Sequence, residues 1–144
     1  MNRRKRIAVS MLSAALISGS TLLAQPASAG DDCDNGNHCV FYYEVGADRF
    51  SFFNSDTNFT NDYFPNGDTV NDNIEAASNS STGGYESHYY YDINYGGGLV
   101  FCVNPGHTVY RSQLSTDNVP GNHVAQMDEA SSLRLRPTTT IHCF

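Results

Sequence analysis

Four cysteines, Cys33, Cys39, Cys102 and Cys143, are the feature that most limits what this chain can fold into. Whether they pair depends on where the chain goes. Asn2-Arg3-Arg4-Lys5-Arg6 is a basic opening, Ile7 to Ala24 is apolar but loosened by serines, and Ala27-Ser28-Ala29 is a small-residue cleavage pattern. That order predicts a secretory signal peptide over residues 1–29 and a single small domain over residues 30–144. An exported chain leaves the reducing cytosol, so two disulfides are expected rather than free thiols. Three pairings are open in principle. The favoured one closes a short loop through Gly36 with Cys33–Cys39 and ties residue 143 back onto the sheet with Cys102–Cys143. Zinc competes poorly, because Cys33 and Cys39 are six apart, the other two stand alone, and no histidine pair lies at ligand spacing.

A domain of 144 − 29 = 115 residues has a small core, so bridges worth roughly 2–4 kcal/mol each matter to it. The leader holds four of the 8 basic residues and none of the 15 acids, which leaves 4 − 15 = −11 on the remainder. With no basic patch to release counterions from phosphates, nucleic acid is a poor partner, and an anionic membrane surface is disfavoured by the same sign. The charge suits solubility outside the cell, a cationic partner, or a hard cation such as Ca²⁺. A monomer that requires no cofactor is expected.

Helical periodicity is almost absent after residue 30. Apolar residues come instead in short aromatic and β-branched clusters, Val40 to Tyr43, Phe50 to Phe53, Tyr89 to Tyr91 and Leu99 to Val103, separated by Asn, Asp, Gly, Ser and Pro. Ser131-Ser132-Leu133-Arg134-Leu135-Arg136 alternates as a half-buried strand must, with Leu133 and Leu135 inward. The expected fold is an all-β sandwich. Phe59, Tyr63 and Phe64 read as anchors that order the Asn-rich stretch around them.

The chain also repeats itself weakly. Val40-Phe41-Tyr42-Tyr43-Glu44 matches His88-Tyr89-Tyr90-Tyr91-Asp92, and Asp72-Asn73-Ile74-Glu75-Ala76-Ala77 matches Met127-Asp128-Glu129-Ala130-Ser131-Ser132. Two copies of one β unit packed face to face would explain both matches. Within the second copy, Tyr90, Tyr95 and Gly97 form an aromatic-x-x-x-x-aromatic-x-Gly pattern, which suits a hairpin folded over onto its own sheet: Gly supplies positive φ and the aromatics cover the turn. That pattern, with Ser131-Ser132 closing the later stretch, resembles the βγ-crystallin Greek-key signature. The first copy departs from it, since Ala47 and Arg49 stand where Tyr95 and Gly97 do, and Ala76-Ala77 replace the serines. With the leader, the Cys-Val-Phe-Tyr-Tyr opening and the size, the chain is similar to the secreted bacterial family of the streptomycete metalloproteinase inhibitor, over most of Cys33 to Arg136.

The resemblance implies a βγ-crystallin-like Greek-key β-sandwich and an inhibitor of an extracellular peptidase, acting through a disulfide-held, substrate-like loop. Thermolysin-like enzymes cut before large apolar residues, and the family is thought to offer such a bond beside a cysteine. Two bonds fit, Cys39-Val40 and Cys102-Val103, the second ranked higher because Asn104-Pro105-Gly106 signals an exposed turn. An ordinary strand interior is the competing reading of both. The resemblance also allows one weak calcium site from Asp72, Asn73 and Ser131, its mirror lacking an oxygen at Ala76. Catalysis has little to rest on: five scattered histidines, no nucleophile elbow and no free thiol once both bridges form. Tyr89 to Tyr91 invite a sugar-binding reading, but consecutive strand residues alternate faces, so at least one face belongs to the core.

Overall fold

The computed structural model describes residues 29–114 and 126–144; the leader expected over residues 1–29 lies almost wholly outside them. Among the described residues seven short strands form: β1 (His38–Phe41), β2 (Arg49–Phe52), β3 (Ala76–Asn79), β4 (Tyr85–Tyr90), β5 (Leu99–Val103), β6 (Thr108–Val109) and β7 (Ser132–Pro137). Single 3-10 turns stand at Phe59–Asn61, Ile93–Tyr95 and Arg111–Gln113, and the described residues contain no α-helix. The all-β expectation holds. No helix among the described residues is long and apolar enough to cross a membrane.

The strands make two antiparallel sheets, ordered β2-β1-β3-β6 and β5-β4-β7. Each half of the chain keeps its own sheet and lends a piece to the other. The second half supplies β6, paired with β3; the first supplies Asp56, which exchanges two 2.8 Å backbone hydrogen bonds with Leu133. This exchange locks the sheets together.

Strand alternation decides what each face holds. From β1, Val40 enters the main core, whereas Cys39 and Phe41 join a second cluster with Cys33 and Ala76 on the opposite face. From β4, Tyr89 enters the main core and stacks on Phe101 at 4.6 Å, while Glu86 and His88 face the other way. Leu133 is fully buried and Leu135 packs against the core, as the alternation predicts. Phe59 and Phe64 anchor their loop, with Phe59 stacked on Phe52 at 4.9 Å; Tyr63 does not, being 58 % exposed.

One inward polar pair interrupts this apolar layer: His38 Nδ1 lies 2.6 Å from Ser87 Oγ, both residues buried. Burial with no charged partner lowers His38 from 6.5 to about 4. As pH falls past 6.5, the unfolded chain gains a proton that the native state refuses, so stability present above that value drains as pH falls toward 4, by about 3 kcal/mol in all. Asp62, raised to about 6 mainly by burial, has the opposite sign: its contribution exists below 3.8 and is lost as pH rises through 6, though partial exposure screens it. The difference between wild type and a His38→Asn variant isolates the histidine. Urea denaturation at stepped pH should show wild type losing stability relative to the variant between pH 6.5 and 4; a constant difference would contradict this.

The repeat is real but its register is one residue from the expected one. Phe41 O accepts from Glu75 N as Tyr90 O accepts from Ser131 N, and Ala47 N bonds Glu44 O as Gly96 N bonds Ile93 O. Phe41 therefore corresponds to Tyr90, and Ala76 to Ser132. In this register Gly46 and Asp48, not Ala47 and Arg49, occupy the places of Tyr95 and Gly97. All four have positive φ: 96° and 35° in the first copy, 62° and 70° in the second. Both halves thus carry a folded corner.

Candidate functional site

The corner after β4 is built as its residues require. Gly97 sits at φ 70°, and a Cβ there would stand 2.7 Å from Tyr91 Cβ and 2.8 Å from an Asp92 carboxylate oxygen, so alanine is strained twice over. Asn94 and Tyr95 also have positive φ, which costs a non-glycine residue about 1 kcal/mol each. Ser132 holds them there: its hydroxyl donates to Asp92 O at 2.7 Å and accepts from Tyr95 N at 3.1 Å. The Tyr90 and Tyr95 rings meet at 5.9 Å, and the Arg134 guanidinium lies 5.5 Å from the Tyr95 ring. The equivalent of Ser132 in the first copy, Ala76, has no hydroxyl to do this.

Both favoured disulfides form, Cys33–Cys39 and Cys102–Cys143. Neither expected inhibitory bond is presented. Cys39 and Val40 lie within β1, Cys102 and Val103 within β5, and all four are buried. A turn does follow Val103, with His107 N bonded to Asn104 O and Gly106 at φ 77°, but Phe144 pairs across β5 through Cys102 O and Asn104 N and covers the bond ahead of it. Both valines are buried in strand interiors.

An exposed apolar side chain beside a disulfide is found instead on the strap of residues 139–143, which carries no motif in the sequence. Thr139 is fixed at one end, its N and Oγ1 donating to the two Glu86 carboxylate oxygens at 2.9 and 2.8 Å. Cys143 is fixed at the other by its bridge to β5. Between them Thr140, Ile141 and His142 are exposed, in no regular secondary structure, with Ile141 41 % exposed. A 590 Å³ groove runs between this strap and β5, lined by Leu99, Phe101, Ile141 and Phe144 among others.

The floor under the strap is polar and buried. His88 Nε2 donates to Glu86 Oε2 at 2.7 Å with both residues buried. Burial pushes the Glu86 carboxyl up, but the hydrogen bonds from His88 and Thr139 outweigh it and hold it below its ordinary value. Burial lowers His88, against the pull of Glu86. The result is a buried carboxylate accepting from a neutral imidazole and from the strap. Among the described residues, the metal-capable atoms of His88, Cys102 and Cys143 lie within 4.8 Å of one another. The sulfurs are bonded to each other and offer no thiolate.

Comparison of the chain with protein-family models, curated proteins and solved structures finds no match.

The expected calcium ligands are partly assembled. Ser131 Oγ donates to Asp72 Oδ1 at 3.1 Å, whereas the Asn73 amide turns away to donate to the Thr69 and Asn71 carbonyls. Burial raises Asp72, with hydrogen bonds from Ser131 and Asn71 opposing. In the observed register the mirror place pairs Asp128 with Glu75, and Glu75 is ion-paired with Arg111, whose guanidinium lies 4.2 Å from the centre of the Tyr43 ring. A protein cation already stands there.

Proposed function

We propose that this protein is a secreted inhibitor of an extracellular peptidase, with a βγ-crystallin-like fold, presenting the Thr140–Ile141 bond of its strap. Two sheets, each receiving a piece from the other half, and a serine-pinned corner at Gly97 support the Greek-key kinship. The observation that carries the function is the strap itself: an exposed segment with a large apolar residue, held at both ends. An inhibitor gains from such tethering because little entropy is lost on binding. If Thr140–Ile141 is cut, the new amino end stays tied through Cys143 and the new carboxyl end through Thr139 and Glu86, so the halves remain aligned for resealing.

Ile141→Asp should therefore weaken inhibition of a thermolysin-like metallopeptidase on the order of 100-fold, as loss of one anchoring side chain does at other interfaces, while leaving the unfolding midpoint unchanged. An unaltered inhibition constant would move the presented bond elsewhere. Calcium binding at Asp72 and Ser131 is the second reading, favoured by their 3.1 Å contact alone. On that reading the protein takes up one calcium with calorimetric heat that Asp72→Ala removes; a flat titration at millimolar Ca²⁺ would dismiss it.

A further inference from the structure

A second cavity, of 370 Å³, opens where β1 and β4 begin, and no step of the inhibitory reading uses it. Two aromatic rings flank it, Phe53 at 70 % and Tyr85 at 44 % exposure, so neither serves the core. Each lies along glycine backbone: a Cβ on Gly36 would stand 3.6 Å from the Phe53 ring, and one on Gly83 3.0 Å from the Tyr85 ring. Ser81, Thr82 and Asn54 add hydroxyl and amide groups to the wall. His38, 2 % exposed, lines the cavity too; with Nδ1 occupied by Ser87, Nε2 is the ring nitrogen left to face it. No acid and no arginine lines the cavity, although the chain carries 15 acids.

We infer that this cavity binds a neutral saccharide. A pyranose has apolar C–H faces and a rim of hydroxyls, which matches rings on the walls and scattered uncharged donors and acceptors between them. An apolar ligand would leave the buried His38 nitrogen without a partner, which disfavours it. An anionic sugar would meet no cation in the lining and a strongly negative chain around it. The site lies on exposed rings at a sandwich end, so its occupant needs no rearrangement of the core.

The test is calorimetric and NMR titration of the exported protein with chitotetraose, cellotetraose and maltotetraose, and with an oligogalacturonate as the anionic probe. Saturable binding of at least one neutral tetrasaccharide is expected, weakened about 10-fold or more by Phe53→Ala and by Tyr85→Ala, with unfolding midpoints and peptidase inhibition unchanged. Absence of saturable binding by all three neutral probes at millimolar concentration overturns the inference. So does equal binding of the oligogalacturonate, or full binding by the Phe53→Ala/Tyr85→Ala double variant.

Discussion

Replacing Cys102 and Cys143 together by alanine is expected to destabilise the domain by about 4 kcal/mol, against about 2 kcal/mol for the Cys33 and Cys39 pair. The difference follows from loop length, since the bridges close separations of 41 and 6 residues, and unfolded-chain entropy grows with the logarithm of the loop. The longer bridge also roofs buried polar groups. Without it the strap lifts, and Glu86 and His88, at 1 % and 0 % exposure, meet water. Guanidinium denaturation of both double variants checks this. The 102/143 variant should unfold at the lower midpoint; equal midpoints would show that the strap contributes no more than the short loop does.

Glu86→Ala should cost about 3 kcal/mol. The carboxylate accepts from His88 Nε2, Thr139 N and Thr139 Oγ1, and alanine leaves the buried His88 donor without a partner and the partly buried Thr139 donors without their anchor. Glu86→Gln keeps an acceptor and should lose only part of this. The two variants separate anchoring from bulk, because Gln nearly conserves volume. Inhibition should fall with the strap's order, so Glu86→Ala loses more inhibition than Glu86→Gln at a temperature where both are folded. Equal loss of stability in the two would mean that the hydrogen bonds carry little.

The β class and the corner were legible because both rest on local rules. Leu133 and Leu135 alternate within six residues, and Tyr90, Tyr95 and Gly97 span eight, so spacing alone identifies their faces and the positive φ. The repeat register was harder. Phe41-Tyr42-Tyr43 and Tyr89-Tyr90-Tyr91 are runs of consecutive aromatics, and sliding one past the other by a residue still matches ring to ring. Hydrogen bonds break that tie: Gly46 and Asp48 take the corner positions, and Arg49 instead bonds Asp34 and the Asp32 carbonyl. Asp48 at positive φ carried no glycine to betray it.

The strap was invisible for a different reason. Thr138-Thr139-Thr140-Ile141-His142 has no turn residue, periodicity or motif, and what distinguishes it is held elsewhere, at Glu86 and Cys102. Val103 misled through its neighbours. Asn104-Pro105-Gly106 does announce a turn, yet exposure of a turn says nothing about the strand that leads into it, which here is covered by Phe144.

The strap's role as the inhibitory element is tested most directly by inhibition of a thermolysin-like metallopeptidase by the exported protein, before and after reduction of Cys102–Cys143, alongside Ile141→Asp. Tight inhibition by the oxidised wild type is expected, with loss of it on reduction, and loss in the variant with the fold retained. Inhibition that survives both treatments, or an oxidised wild type that inhibits neither this enzyme nor a subtilisin, would contradict it.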